Sequence, residues 1–303
     1  MNSQPLVSIA LCTYNGKKYL PEQLDSILNQ SYQNLEIVVV DDKSTDGTID
    51  LLESYKNKYP HKISLFQNSI NLGFNSNFEK AISLCKGDLI AISDQDDLWI
   101  KDKISLQVNY IKENLLIYHD SLMVDKNGQS LNIKISDMRN MYSGDNPNVF
   151  IFNNCVSGHS ILMKKELLQY IFPFPKMVYY DWWIAYQATQ FGSIEYLNQC
   201  LVHYKQHEDT ITGSNLTTKS NDTVASKVEK VVKALANTEN RKNRELIIKL
   251  DRLFDERNKK LLNLKLFYLF YKNRKEFLFI SNKSYLSKLN RVLKNLWSKN
   301  VHA

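Results

Sequence analysis

Leu89-Ile90-Ala91-Ile92-Ser93-Asp94-Gln95-Asp96-Asp97-Leu98-Trp99 is the stretch on which the reading of this chain turns. Leu89 to Ile92 form an apolar run of the length expected for a buried strand. That run empties into three carboxylates, Asp94, Asp96 and Asp97. Close carboxylates repel one another unless something positive sits among them, so a divalent cation is their natural partner. Oxygen ligands with no cysteine or histidine nearby in sequence suit Mg²⁺ or Mn²⁺ better than zinc. The competing reading is a polar loop that caps a helix starting near Ile100. Capping needs one such side chain rather than three.

Upstream, the same pattern repeats. Leu6–Cys12 reads as a buried strand that ends in the turn-forming cluster Thr13-Tyr14-Asn15-Gly16. Leu20, Leu24, Ile27 and Leu28 have the spacing of a helix with one buried face. A second strand, Leu35–Val40, also ends in acid, at Asp41 and Asp42. A helix over 48–59, a strand over 63–67 and a helix over 75–85 complete the approach to Leu89. Strict strand–helix alternation calls for an α/β fold with a mostly parallel central sheet flanked by helices. Ligands of such sheets sit beyond the carboxyl ends of the strands. Thr13–Asn15, Asp41–Asp42 and Asp94–Asp97 all fall there.

No G-x-G-x-x-G follows the first strand and no G-x-x-x-x-G-K-[ST] is present, so dinucleotide dehydrogenases and P-loop NTPases lose their main support. A nucleotide is still within reach of this loop set. Tyr14 offers a ring face to a base, and Asp42 can accept from a base N–H or a ribose hydroxyl.

These segments resemble the family 2 glycosyltransferases of GT-A fold. The likeness lies in Val7–Asn15, Leu24-Asp-Ser-Ile-Leu-Asn-Gln30, Val40-Asp-Asp-Lys-Ser-Thr-Asp-Gly-Thr48 and Asp94-Gln-Asp-Asp97, in that order, and covers about residues 5–215. It implies a nucleotide-diphospho-sugar donor with Mn²⁺ or Mg²⁺ across the diphosphate. Thr13, Tyr14, Asn15 and Asp42 would then hold the nucleoside. Asp94 would serve the donor, and Asp96 and Asp97 the metal, in a register that varies within the family. The second half carries the acceptor side. Gly158, in Asn153-Asn-Cys-Val-Ser-Gly-His159, allows a close backbone approach, and His159 is either an acceptor contact or a satisfied half-buried histidine. In Val178-Tyr-Tyr-Asp-Trp-Trp183 one carboxylate stands amid four aromatics. Apolar surroundings raise a carboxylate's pKa and make it a better base, and Trp182 and Trp183 offer stacking faces to a sugar. Asp181 also matches the family's general base, although an N-cap would explain it too. Leu201–His207 reads as a strand entering a loop, in which Lys205 is a point charge for phosphate and His203 packs. By the same resemblance His207 lies by the diphosphate and completes the metal shell.

The expected reaction is metal-dependent, inverting transfer of a sugar to a saccharide or lipid-linked saccharide hydroxyl in cell-wall, capsular or O-antigen-type polysaccharide synthesis. Asn153–His159 with Asp181-Trp-Trp183 and Tyr204-Lys-Gln-His207 most resembles the bacterial rhamnosyltransferases of this family, which take dTDP-L-rhamnose. A UDP-hexose donor is the alternative within the family. A nucleotidyltransferase is the alternative outside it, and that class calls for a Gly-rich basic loop which Thr13-Tyr-Asn-Gly-Lys-Lys18 matches only faintly.

Composition sets the outer bounds. The chain has 303 residues, 43% hydrophobic and 23% charged, as in a globular protein with a large core. Cys12, Cys85, Cys155 and Cys200 are far apart and make no CxxC pair, which points away from zinc and disulfides and toward a reducing cytoplasm. Met1–Pro5 shows no leader pattern and no apolar run reaches membrane-spanning length. Residues 241–303 hold 17 Lys and Arg against 5 Asp and Glu, a net +12, while the remainder sums to −5. The expected organisation is a catalytic domain over 1–216, with a nucleotide half to about 100 and an acceptor half beyond. A linker or lid with a helix follows over 217–240, and a basic amphipathic helical tail over 241–303. That tail suits the surface of an anionic membrane or a contact with a second copy, and no motif supports nucleic acid.

Overall fold

The computed structural model describes residues 4–206, 224–257, 263–284 and 286–288. The first half has the alternation expected: β1 Val7–Thr13, α1 Leu20–Leu28, β2 Leu35–Asp41, α2 Thr48–Lys58, β3 Ile63–Gln67, α3 Phe74–Ser83 and β4 Leu89–Ser93. β1 pairs in parallel with both β2 and β4, and β2 with β3. β1, β2 and β4 are apolar almost throughout because both faces of the sheet are covered. Ile9 and Leu11 face Leu20, Leu24 and Ile27 of α1 on one side, whereas Ala10 and Cys12 face Phe78 and Ile82 of α3 on the other.

Beyond β4 the sheet changes character. A two-residue β5 (Leu98–Trp99) and α4 (Lys103–Ile111) lead to β6 (Leu116–Val124) and β7 (Ser130–Lys134). The short helices α5 (Ile135–Met138) and α6 (Leu168–Ile171) flank β8 (Leu162–Lys164), and α7 (Tyr180–Phe191) precedes β9 (Ile194–Lys205). The strand order is β3-β2-β1-β4-β8-β6-β9-β5, with β7 on β6. β8 lies antiparallel to both β4 and β6, while β6 and β9 are parallel. The mostly parallel arrangement thus holds for the β3–β4 half, and the other half is mixed. No helical crossover separates β6 from β7, which a short turn at Asp125–Gly128 joins as a hairpin.

The C-terminal helices Val224–Ala236, Arg244–Arg257 and Leu264–Lys272 follow. Val231, Leu235, Ile247, Leu250 and Phe254 join Trp183, Tyr186 and Phe150 in one continuous core cluster. Within the tail expected over 241–303, Asn263 caps the helix Leu264–Lys272 by accepting from the Leu266 N–H at 3.0 Å. His207, the lid of residues 217–223 and the tail beyond residue 288 lie outside the described residues, so the metal role of His207 has no structural counterpart here. Among the described residues no helix is long and apolar enough to cross a membrane.

Candidate active site

The loops after β1, β2 and β4 meet at the carboxyl ends of their strands. Thr13 Oγ1 donates to Asp41 Oδ1 at 2.9 Å, and the Asp42 N–H donates to the Thr13 carbonyl at 2.8 Å. Tyr14 is tied to the acidic loop by a reciprocal pair. Its N–H donates to Gln95 Oε1 at 2.9 Å, and Gln95 Nε2 donates back to the Tyr14 carbonyl at 3.1 Å. Its ring stays exposed. Asn15 adopts a left-handed φ of 48° and links to the β2 loop by accepting from the Thr45 N–H at 2.9 Å. The Asp42 carboxylate is already engaged. It accepts from the Leu72 N–H and Asn68 Nδ2 at 2.8 Å and from the Gly73 N–H at 2.9 Å, so it anchors the loop leading into α3.

Asp94 is half-buried and Asp97 fully buried, and the residue that joins them is His159. Its Nδ1 lies 3.7 Å from Asp94 Oδ2 and 3.4 Å from Asp97 Oδ2. One ligand atom from each of the three falls within 4.8 Å of the others. Asp96 is not in that group. His159 Nε2 pairs with Ser121 Oγ at 2.8 Å and its ring packs on Tyr204 at 4.7 Å, so the imidazole is held with Nδ1 toward the carboxylates. Asp97 Oδ1 accepts from the Lys205 N–H at 3.3 Å, whereas Oδ2 is buried with no hydrogen-bond partner among the described residues. Burial, with Asp96 and Asp94 nearby, pushes the Asp97 carboxyl well above the usual carboxylate range.

The sequence left His159 as an acceptor contact or a satisfied half-buried histidine, and in the structure it is buried among the acids. His159 and Asp94 are distant in sequence, and only the pairing of β8 with β4 unites them: the Ile92 N–H donates to the Ile161 carbonyl at 3.2 Å. Lys103 was missed altogether. Its ammonium is buried 3.3 Å from the Trp99 ring centroid, without a hydrogen-bond partner among the described residues, and its charge reaches Asp97 and Asp94. Burial pushes it below the usual lysine range.

Asp181 occupies the first turn of α7, with Oδ1 accepting from the Trp182 N–H at 2.6 Å. Burial raises its carboxyl to about 7; Arg139 lowers it and Asp94 raises it, so Asp181 is within electrostatic reach of Asp94. Gly158 makes a close approach, but to Tyr180: a Cβ there would stand 2.7 Å from the Tyr180 Cζ. Trp182 is half-buried and donates from Nε1 to the Phe150 carbonyl. Trp183 is buried and donates to the Ile171 carbonyl at 2.7 Å, so its ring serves the core rather than an acceptor. Every residue from Trp183 to Gln190 is buried, so this part of α7 has no solvent face on which a sugar could stack. The Lys205 ammonium pairs with Glu22 Oε2 at 2.5 Å and lies 5.5 Å from the Tyr19 ring centroid.

Two clefts adjoin these residues. One of about 600 Å³ lies between α1 and β5, lined by Glu22, Asp25, Leu98 and Lys101 among others, and shares no residue with the Asp94–Asp97–His159 group. The other, about 250 Å³, is framed by Arg139, Asn153, Asn154 and residues 280–283. Arg139 connects it electrostatically to Asp181.

The chain matches the glycosyl transferase family 2 profile over residues 8–172. It is 38% identical over 114 residues to the putative glycosyltransferase EpsE of Bacillus subtilis, covering 38% of this chain and 41% of that protein. It is 34% identical over 152 residues to the abequosyltransferase RfbV of Salmonella typhimurium, covering 49% of this chain and 44% of that protein. The matched region thus spans less than half the length of these relatives. Among solved structures, S. aureus TarS 1-349 in complex with UDP-GlcNAc aligns with a TM-score of 0.59 at 18% identity, over 96% of this chain and 81% of that one. The mannosyltransferase PcManGT from Pyrobaculum calidifontis, in complex with GDP-Man and Mn2+, aligns with a TM-score of 0.55 at 19% identity, over 84% and 71%. At such identities the structural likeness speaks for the fold alone. With more than half of its length matched by the family profile and its mixed sheet built as in these GT-A neighbours, the chain belongs to glycosyl transferase family 2.

Proposed function

We propose that this chain transfers a sugar from a nucleotide-diphospho-sugar to a saccharide hydroxyl, with inversion at the anomeric carbon, in the synthesis of a bacterial-type polysaccharide. The observation that carries the reading is the pairing of two unlike acids. Asp97 points an unpartnered buried oxygen at Asp94 and His159, while Asp181, within electrostatic reach of Asp94, is raised to about 7. Asp94, Asp97 and His159 would hold Mn²⁺ or Mg²⁺, which when bound supplies positive charge for the leaving diphosphate. The two carboxylates are the hard oxygen donors such a cation takes, and a cation offsets the burial and the carboxylate repulsion that raise Asp97. Tyr14, Thr13 and Asn15 line the nucleoside end, and Tyr14 presents the free ring. Asp42 and Lys205 act indirectly, through the α3 loop and through Glu22.

Asp181 takes the proton of the acceptor hydroxyl as that oxygen attacks. A base poised near 7 is half in its working form at neutrality. The polar cleft lined by Arg139, Asn153 and Asn154 extends the acceptor side. The donor of this reading is dTDP-L-rhamnose, with a UDP-hexose as its alternative, and the acceptor is a saccharide or lipid-linked saccharide. The test is nucleoside diphosphate release from a panel of dTDP-, UDP- and GDP-sugars with Mn²⁺. Release from at least one donor, abolished by Asp181→Asn and by chelation, is expected. Stable protein that turns over no donor would refute the reading.

A further inference from the structure

One short helix near the C-terminus carries apolar side chains on two opposite faces. Leu264–Lys272 buries Leu266, Leu269 and Phe270, and Phe270 packs against Phe152, Phe254 and Phe277. Leu264, Tyr268 and Tyr271 point the other way, 67%, 66% and 44% exposed. Their spacing of four and three residues makes them a single stripe. Isolated exposed apolar residues are ordinary on a protein surface, but three in line on one helix form a face.

The charge around that stripe has one sign. Lys265, Lys272 and Lys275 are exposed beside it, and the Arg274 guanidinium lies 4.3 Å from the Tyr271 ring centroid. From 263 to 283 the only carboxylate is Glu276, and it accepts from Asn148 Nδ2 at 2.7 Å. Tyrosine rings, a leucine and a fringe of lysines are the composition of the boundary between headgroups and acyl chains. A convex helix face enters such a boundary without needing a complementary groove. A second copy of the chain is a poorer occupant, because an isologous contact would set this basic face against itself.

We propose that the exposed face of Leu264–Lys272 seats on an anionic bilayer surface, with Leu264, Tyr268 and Tyr271 at the headgroup boundary and Lys265, Lys272 and Lys275 over lipid phosphates. This narrows the basic amphipathic tail read in the sequence over 241–303 to one exposed helix face. Among the described residues, Leu250, Leu253, Phe254, Leu266, Leu269 and Phe270 go to the core instead. The seat is also strapped to the acceptor half. The Asn140 N–H donates to the Ile280 carbonyl at 2.9 Å, Asn140 Nδ2 to the Phe279 carbonyl at 2.7 Å and Asn282 Nδ2 to the Asp137 carbonyl at 2.6 Å. Arg139, within that strap, lines the smaller cleft and bears electrostatically on Asp181.

The test is cosedimentation of the full chain with phosphatidylcholine vesicles, with and without phosphatidylglycerol. Binding is expected only where phosphatidylglycerol is present, and it should weaken as salt rises. Leu264→Ser/Tyr268→Ser/Tyr271→Ser should weaken it by about tenfold or more, and Lys265→Gln/Lys272→Gln by about tenfold. Both variants change exposed side chains, and the lysine pair keeps the test decisive if the serine variant fails to fold. Unchanged binding by the variants would move the contact to residues beyond 288 and overturn the proposal. Folded wild-type protein that ignores anionic vesicles would overturn it too, as would a stripe-dependent dimer in place of vesicle binding. None of these readouts depends on a donor or on turnover.

Discussion

Asp181 is the residue whose environment and proposed role agree most closely. Asp181→Asn should lower kcat by about 10²–10⁴-fold with little change in donor Kd, measured by steady-state kinetics and calorimetry. The wild-type rate should climb as pH rises through about 7, where the carboxyl loses its proton. Stability should move the opposite way. A carboxyl whose folded pKa stands above its unfolded value binds its proton more tightly when folded, so stability falls as pH rises from the ordinary carboxylate range to about 7. Asp181→Asn should therefore raise Tm relative to wild type at about pH 8 and much less at about pH 5, in parallel thermal melts. In the sequence, Asp181 was legible because four aromatics surround it locally. The place of His159 was not, because its partners Asp94 and Asp97 come to it only through strand order. Lys103 was hidden for a different reason: a lone lysine in an amphipathic helix reads as solvated, and nothing local announces that Trp99 and Asp97 enclose it.

At the scale of elements, the Gly158 turn packs closely on Tyr180, the first residue of the helix that carries Asp181 in its first turn. Gly158→Ala would drive a methyl group into the Tyr180 ring and should cost about 1–3 kcal/mol in urea denaturation. Tyr180→Phe removes the nearest atom, the hydroxyl oxygen, so the double variant should recover part of that loss. The strands β1, β2 and β4 were legible because each is a largely apolar run closed by turn residues. β6 was not. Its centre is His119-Asp120-Ser121, buried polar residues whose needs are met largely by tertiary partners: Asp120 accepts from Ser136 Oγ at 2.5 Å and Ser121 Oγ pairs with His159. Polar residues inside a strand hide it from a reading based on apolar periodicity. β9 was read only from Leu201, since most of Ile194–Cys200 is partly exposed and mixes polar with apolar residues.

Across the whole molecule, the C-terminal helices complete the core rather than append to it. Phe254 and Leu250 share a cluster with Phe150, Trp183 and Tyr186. Phe254→Ala should cost about 3–5 kcal/mol, read from a urea titration. Wild type should unfold in one transition by fluorescence and by circular dichroism, and a chain cut at residue 216 should not yield a stable catalytic domain. The most direct test of the account is a crystal grown with Mn²⁺ and UDP, measured for anomalous scattering from manganese. The account predicts one peak within bonding reach of Asp94, Asp97 and His159, with the diphosphate beside it. Bound nucleotide with no peak there, or with the manganese elsewhere, would contradict it.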